Sequence, residues 1–127
     1  GQKRCVFGAT AFPNGANQIV IVGGDDMTLF MQREQLSKQA KQAPSEAEAE
    51  PLRQQVKKSL AEHPGFSKDI LCYDTVANTW RKLGDFPEAC PVTTTGVLWD
   101  GALIIPSGET RPGVRTPKVW RGEVSAK

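Results

Sequence analysis

Metal-binding side chains are scarce in this sequence. It has one histidine, His63, and three cysteines, Cys5, Cys72 and Cys90, with no CxxC or Cys/His pair among them. A structural zinc site needs four closely organised nitrogen or sulfur ligands, and this spacing does not supply them. The cysteines read instead as buried, reduced thiols. Two lie in strand-like runs, Cys5 before Val6-Phe7 and Cys72 between Leu71 and Tyr73. Their spacing does not decide the compartment. Long apolar runs are also lacking: none approaches the ~20 residues of a membrane-spanning helix. Charge is nearly balanced, with 16 basic against 14 acidic residues and a net +2. That is too little to argue for nucleic acid or a membrane surface as partner. No leader pattern is visible at Gly1-Gln2-Lys3-Arg4, which is compatible with a leader absent from this stretch. What is present, 127 residues at 39% hydrophobic and 24% charged, is enough for one modest core.

Three regions differ in character. From Arg4 to Asp26 the pattern predicts two strands, "RCVFGATAF" and "NQIVIVGG", joined by a turn at Pro13-Asn14-Gly15. The β-branched run Ile19–Val22, closed by two glycines, suits a strand covered on both faces. From about Met27 to Ser67, Gln, Lys, Glu and Ala dominate, which favours helix. A first helix is expected over Thr28–Lys41, ending before Pro44-Ser45. Ser45 and Glu48 have capping-box spacing, and Pro51 is expected to restart or kink the second helix. Leu52, Val56 and Leu60 then form a narrow apolar stripe that Pro64-Gly65 terminates. From Asp69 onward strands return. "DILCYDTVANTWRKL" gives two around Thr75–Asn78, "VTTTGVLWDGALIIPSG" gives a hairpin turned at Asp100-Gly101, and "TPKVWRGEV" gives a last strand.

An internal repeat lies across these regions. "GATAFPNGANQIVIVGG" aligns with "TTTGVLWDGALIIPSG", so Val22-Gly23-Gly24 corresponds to Pro106-Ser107-Gly108. These points are 84 positions apart, whereas four-stranded propeller repeats of the kelch type run to about 50. The helical segment accounts for the excess. The expected fold is therefore mainly β, about two kelch-type propeller blades with an α-helical insertion. The boundaries are a first half-blade over 1–26, the insertion over 27–68, the second half-blade over 69–89, and a following blade over 90–127.

The diglycine after an aliphatic strand, followed by "YDTVANTW" (Tyr73 to Trp80), is the kelch pattern, in which the Tyr and Trp pack between blades. A narrower motif sits on it. "GETRPGVRT", residues 108–116, resembles the Gly-Glu-x-x-Pro-Gly-x-Arg-Thr segment of the N-acetylneuraminate epimerases, or sialic acid mutarotases, which are six-bladed kelch-type propellers. In that family a helical insertion also follows a diglycine, and the order of elements is the same. The position of the motif near the end of the chain resembles the cyclically permuted branch. The resemblance implies an isomerase of bacterial origin, periplasmic or secreted, working without metal or cofactor on a sugar acid. It implies Glu109 and Arg115 as catalytic residues and Arg111 as a substrate contact.

Those residue types suit the chemistry. Mutarotation of a 2-keto sugar acid requires a proton to leave the anomeric hydroxyl and another to reach the ring oxygen. A carboxylate such as Glu109 can act as the base. A guanidinium such as Arg115 can bind the substrate carboxylate through two parallel hydrogen bonds, or pair with Glu109 and hold it ionised. Gly108, Gly113, Pro112 and Pro117 restrict the loop that carries them. The alternative is a non-catalytic kelch-type module that binds protein or glycan through the same charged turn. A hydrolytic sialidase would want a tyrosine nucleophile, and the single tyrosine, Tyr73, sits where the kelch pattern packs it. His63 reads as an exposed helix C-terminal cap. Phe30 and Met31 read as packing within the insertion or as a lid, and Asp25 and Asp26 as strand-end residues near the mouth of the propeller.

Two blades cannot close a propeller. The remaining blades are expected from the rest of a longer parent protein, from a second chain or from further copies, with a fragment of a longer protein the preferred reading.

Overall fold

A computed structural model describes residues 4–123. The fold has two compact units: Met27–Pro64, and the residues up to Asp26 together with those from Gly65 on. In the second of these, β1 (Thr10–Asn14), β2 (Gln18–Val22), β3 (Asp69–Asp74) and β4 (Thr79–Asp85) form one antiparallel sheet in the order β1-β2-β3-β4. The helical segment interrupts this sheet between β2 and β3. The first strand is shorter than "RCVFGATAF" suggests. It starts at Thr10, and Phe7 instead makes an isolated bridge to Asp25. It also runs further, because Pro13 and Asn14 pair with Ile19 and Gln18, moving the turn to Gly15–Asn17. Proline is tolerated there because β1 is an edge strand.

Val20 and Val22 are buried, whereas Ile19 is 39% exposed. The aliphatic strand is thus fully covered on one face and partly on the other, where Ile21 is half-buried opposite buried Leu71, short of the two-faced burial its composition suggests. On β3 and β4, Tyr73 is directly opposite Trp80, with ring centroids 4.9 Å apart. The Tyr73 hydroxyl donates to Asn78 Oδ1 at 2.9 Å. Asp74 Oδ1 accepts the Val76 and Ala77 N–H groups at 3.0 and 2.9 Å. These two backbone bonds, Ala77 first, lower the Asp74 pKa. The turn thus fixes both its acid and its phenol.

The companion sheet has the order β5-β6-β9, from β5 (Val97–Trp99), β6 (Ala102–Pro106) and β9 (Val119–Gly122). Asp100 and Gly101 close its hairpin with φ of 48° and 70°, the positive values a two-residue hairpin turn requires. The core lies between the sheets: Val20, Val22 and Cys72 meet Leu103 and Ile105, with Phe86 and Cys90 from the connecting segment. Trp120 packs edge-on to Phe86, ring centroids 4.8 Å apart. Gly23, with φ +73°, has a packing reason as well. A Cβ there would lie 2.6 Å from Cys90 Sγ. Burial pushes the Cys90 thiol up to about 12. Cys72 is buried too, but Cys5 is exposed, because the strand expected around it does not form.

The helical unit holds α1 (Thr28–Gln42) and α2 (Glu46–Ala61). Ser45 caps α2: its hydroxyl accepts the Glu48 N–H at 3.3 Å and donates to the Glu48 carboxylate at 3.1 Å. Pro51 lies inside α2 without ending it. It forgoes one backbone bond, which the helix on either side sustains. Leu52 and Val56 are half-buried and Leu60 is 39% exposed. Phe30 and Met31 are exposed rather than packed, and His63 is buried rather than an exposed cap.

Candidate active site

Beyond β6 the chain turns through Ser107 and Gly108, at φ 56° and 119°. It then forms a two-stranded hairpin, β7 (Glu109–Arg111) and β8 (Val114–Arg115). The charged motif is therefore a β-ribbon rather than an irregular loop. Local chemistry explains its shape: Pro112 and Gly113 make the reversal, Gly113 at φ 74°.

The hairpin is fastened at its base. Glu109 N–H donates to the Val92 carbonyl at 3.0 Å, and Val92 N–H donates to the Glu109 carbonyl at 2.8 Å. Thr116 N–H donates to the Gly108 carbonyl at 2.9 Å. The Ser107 hydroxyl donates to the Thr116 carbonyl at 2.8 Å. Gly108 lies so close to the connecting segment that a Cβ on it would stand 2.6 Å from Pro91 Cβ. Sequence spacing alone gave no sign of the Pro91-Val92 anchor.

Glu109 is opposite Arg115 in the β7–β8 register. Directly opposed residues of an antiparallel pair share a face, with Cβ atoms about 5 Å apart. The carboxylate does not turn to the guanidinium for a partner. Its Oε1 accepts the backbone N–H of Gly113 at 3.1 Å, so the turn itself orients the acid. Glu109 and Arg111 are half-buried, whereas Arg115 is exposed. Arg111 is opposite Val114, and a register shift separates it from Glu109. Two concavities, of about 350 and 1000 Å³, lie elsewhere, along the sheets. Neither includes Glu109, Arg111 or Arg115.

A four-stranded antiparallel sheet, a diglycine at the end of an aliphatic strand and a cross-strand Tyr–Trp pair define kelch-type blades. With the three-stranded companion, they make this fold an unclosed portion of a β-propeller with a helical insertion. The chain belongs to the N-acetylneuraminate epimerase family, which it matches over residues 2–127. The N-acetylneuraminate epimerase of Salmonella paratyphi B is 32% identical over 56 residues, 44% of this chain and 14% of that protein. That of Yersinia enterocolitica is 34% identical over 58 residues, 46% of this chain and 15% of the relative. A solved structure titled "Structure of YjhT" superposes with a TM-score of 0.75 at 19% identity. It covers 93% of this chain and 33% of that one, and the likeness shows the shared fold. The matched stretch is thus a minor part of each relative's length.

Proposed function

We propose that the β7–β8 hairpin is the acid/base part of a sialic acid mutarotase or epimerase site. The observation that carries the proposal is Glu109 held by a backbone N–H directly across from Arg115. In this reading the Glu109 carboxylate takes the proton of the anomeric hydroxyl as the bond from the anomeric carbon to the ring oxygen breaks. Water protonates that oxygen. The open-chain 2-keto acid rotates and closes again when its hydroxyl attacks the other face of the carbonyl, with the protons returned. No atom is gained or lost and nothing is oxidised. Arg115 binds the carboxylate next to the reacting centre through two parallel hydrogen bonds, a geometry lysine cannot supply. Arg111 contributes a further positive charge to the same anion. The matched family supports this reading, as do the residue types at these positions.

The test is exchange between the anomers of N-acetylneuraminate, followed by NMR in a closed propeller that contains this chain. Glu109→Gln is expected to slow catalysed exchange 10²-fold or more, with substrate binding retained. An unchanged rate in that variant removes Glu109 from the chemistry. The exposure of Arg115 also suits a non-catalytic module that binds acidic glycans. That reading predicts sialoside binding without any acceleration of exchange.

A further inference from the structure

The ribbon that carries Glu109 contains a bulge. Glu109 pairs with Arg115 and Arg111 with Val114, so Thr110 is an extra residue on β7. A bulge bends its strand and re-aims the side chains beside it. It also leaves backbone groups that need partners outside the ladder. Within the hairpin the Thr110 hydroxyl reaches the Val114 carbonyl at 3.4 Å, a long contact. The Thr110 carbonyl is held from a distant segment, where Phe66 N–H donates to it at 2.9 Å.

That donor is itself fixed. Phe66 is 8% exposed. On one side of it Gly65, at φ +98°, packs so closely that a Cβ there would stand 2.5 Å from Ala89 Cβ. On the other side, Ser67 N–H donates to the Gly24 carbonyl at 3.0 Å. The helical unit ends at Pro64, so Gly65–Ser67 is the stretch by which the chain leaves that unit. Two backbone contacts therefore bracket the acid. Val92 holds the Glu109 peptide groups, and Phe66 holds the carbonyl that follows. The tip beyond them presents the Gly113 N–H to the Glu109 carboxylate.

We propose that the Phe66 N–H is a positioning group for Glu109. By holding the Thr110 carbonyl it preserves the bulge, and the bulge keeps the Gly113 N–H on the carboxylate. Freed of this bond, the bulge relaxes, the tip swings on its Val92 anchor, and the carboxylate loses its aim. The inference rests on the mutarotase reading for what Glu109 then does.

The test uses a closed propeller containing this chain, with Phe66 replaced by phenyllactate. This exchanges the N–H for an ester oxygen and keeps the side chain. The comparison is the same replacement at Thr75, whose N–H donates to the Asn17 carbonyl at 2.8 Å between turns of the other sheet. Two readouts are taken. The first is the Gly113 amide resonance, which Glu109→Ala is expected to move in the otherwise wild-type protein and to leave in place in the Phe66 ester. The second is kcat for anomer interconversion, expected to fall roughly tenfold or more in the Phe66 ester. In the Thr75 ester both readouts are expected to match wild type. Gly65→Ala, which crowds Ala89 beside the donor, is expected to act as the Phe66 ester does and replaces it if the ester does not fold. A Gly113 resonance that still responds to Glu109→Ala in the Phe66 ester overturns the proposal. So do equal losses of kcat in the two esters. Loss of the Gly113 response in a protein whose wild type catalyses no interconversion supports the positioning and counts against the mutarotase reading alone.

Discussion

Glu109 and Arg115 oppose each other across a two-stranded ribbon, yet the glutamate is oriented by the N–H of Gly113, 3.1 Å away. The orientation of the acid is thus independent of the arginine, and substitutions separate the two contributions. In the mutarotase reading, Arg115→Lys keeps the charge but loses the paired hydrogen bonds. It is expected to raise KM about tenfold with a smaller effect on kcat, and Arg115→Ala to raise KM further. Steady-state anomer exchange measures both. Equal losses in kcat and kcat/KM instead would mean that Arg115 acts in the transition state alone.

The turn glycines differ in what surrounds them. Gly113 has φ 74° and open space around an added Cβ, whereas Gly108 has φ 119° and Pro91 Cβ at 2.6 Å. Gly113→Ala is expected to cost about 1 kcal/mol from backbone strain alone. Gly108→Ala adds overpacking and is expected to cost a further 1–3 kcal/mol, roughly. Urea midpoints of the two variants check the order, and a reversed order would place the Pro91 contact elsewhere.

Acid sensitivity centres on Asp69. Lys82 Nζ is 2.8 Å from its carboxylate, and Arg4 also donates to it. The hydrogen bonds from Lys82 and then Arg4 hold the Asp69 pKa down, from 3.8 to about 2. A carboxylate depressed in the folded state adds stability above its unfolded pKa and loses it as pH falls through the folded one. The stability advantage of wild type over Asp69→Asn is therefore expected to be full above pH 4 and to shrink between about 4 and 2. Chemical denaturation at a series of pH values reads this window. A difference that persists undiminished at pH 2 would contradict it.

The thiols divide by burial. Cys5 is exposed, while Cys72 and Cys90 each have no accessible surface and Cys90 is raised to about 12. In the native chain at pH 8, iodoacetamide is expected to modify Cys5 alone, with Cys72 and Cys90 reacting only after unfolding. Mass spectrometry of the alkylated protein counts the adducts. Rapid modification of Cys90 would mean that the contact with Gly23 opens in solution.

The aliphatic strands, the Asp100-Gly101 hairpin and the capping serine were legible in the sequence because each follows from a local rule acting on adjacent residues. Misreadings arose where tertiary contacts decide. Cys5 lacks its strand because Phe7 bridges Asp25 instead. Ile19 is 39% exposed while Ile21 on the same face is half-buried, a difference set by tertiary contacts that strand composition does not encode. Pro51 does not restart the helix, because its flanking residues are strong helix formers that carry α2 past it. His63 is buried although it follows a helix end. At the candidate site the residue types were legible from the motif. Their presentation on a ribbon anchored to Val92 was not, because that anchor comes from a segment distant in sequence.

The central claim is that Glu109 is the base for anomer interconversion. It is tested most directly by NMR exchange of N-acetylneuraminate in a closed propeller containing this chain, wild type against Glu109→Gln. Exchange above the buffer rate in wild type, falling by 10²-fold or more in the variant, is the predicted result. Equal exchange in both, with N-acetylneuraminate still bound, would contradict it and leave the hairpin a binding element.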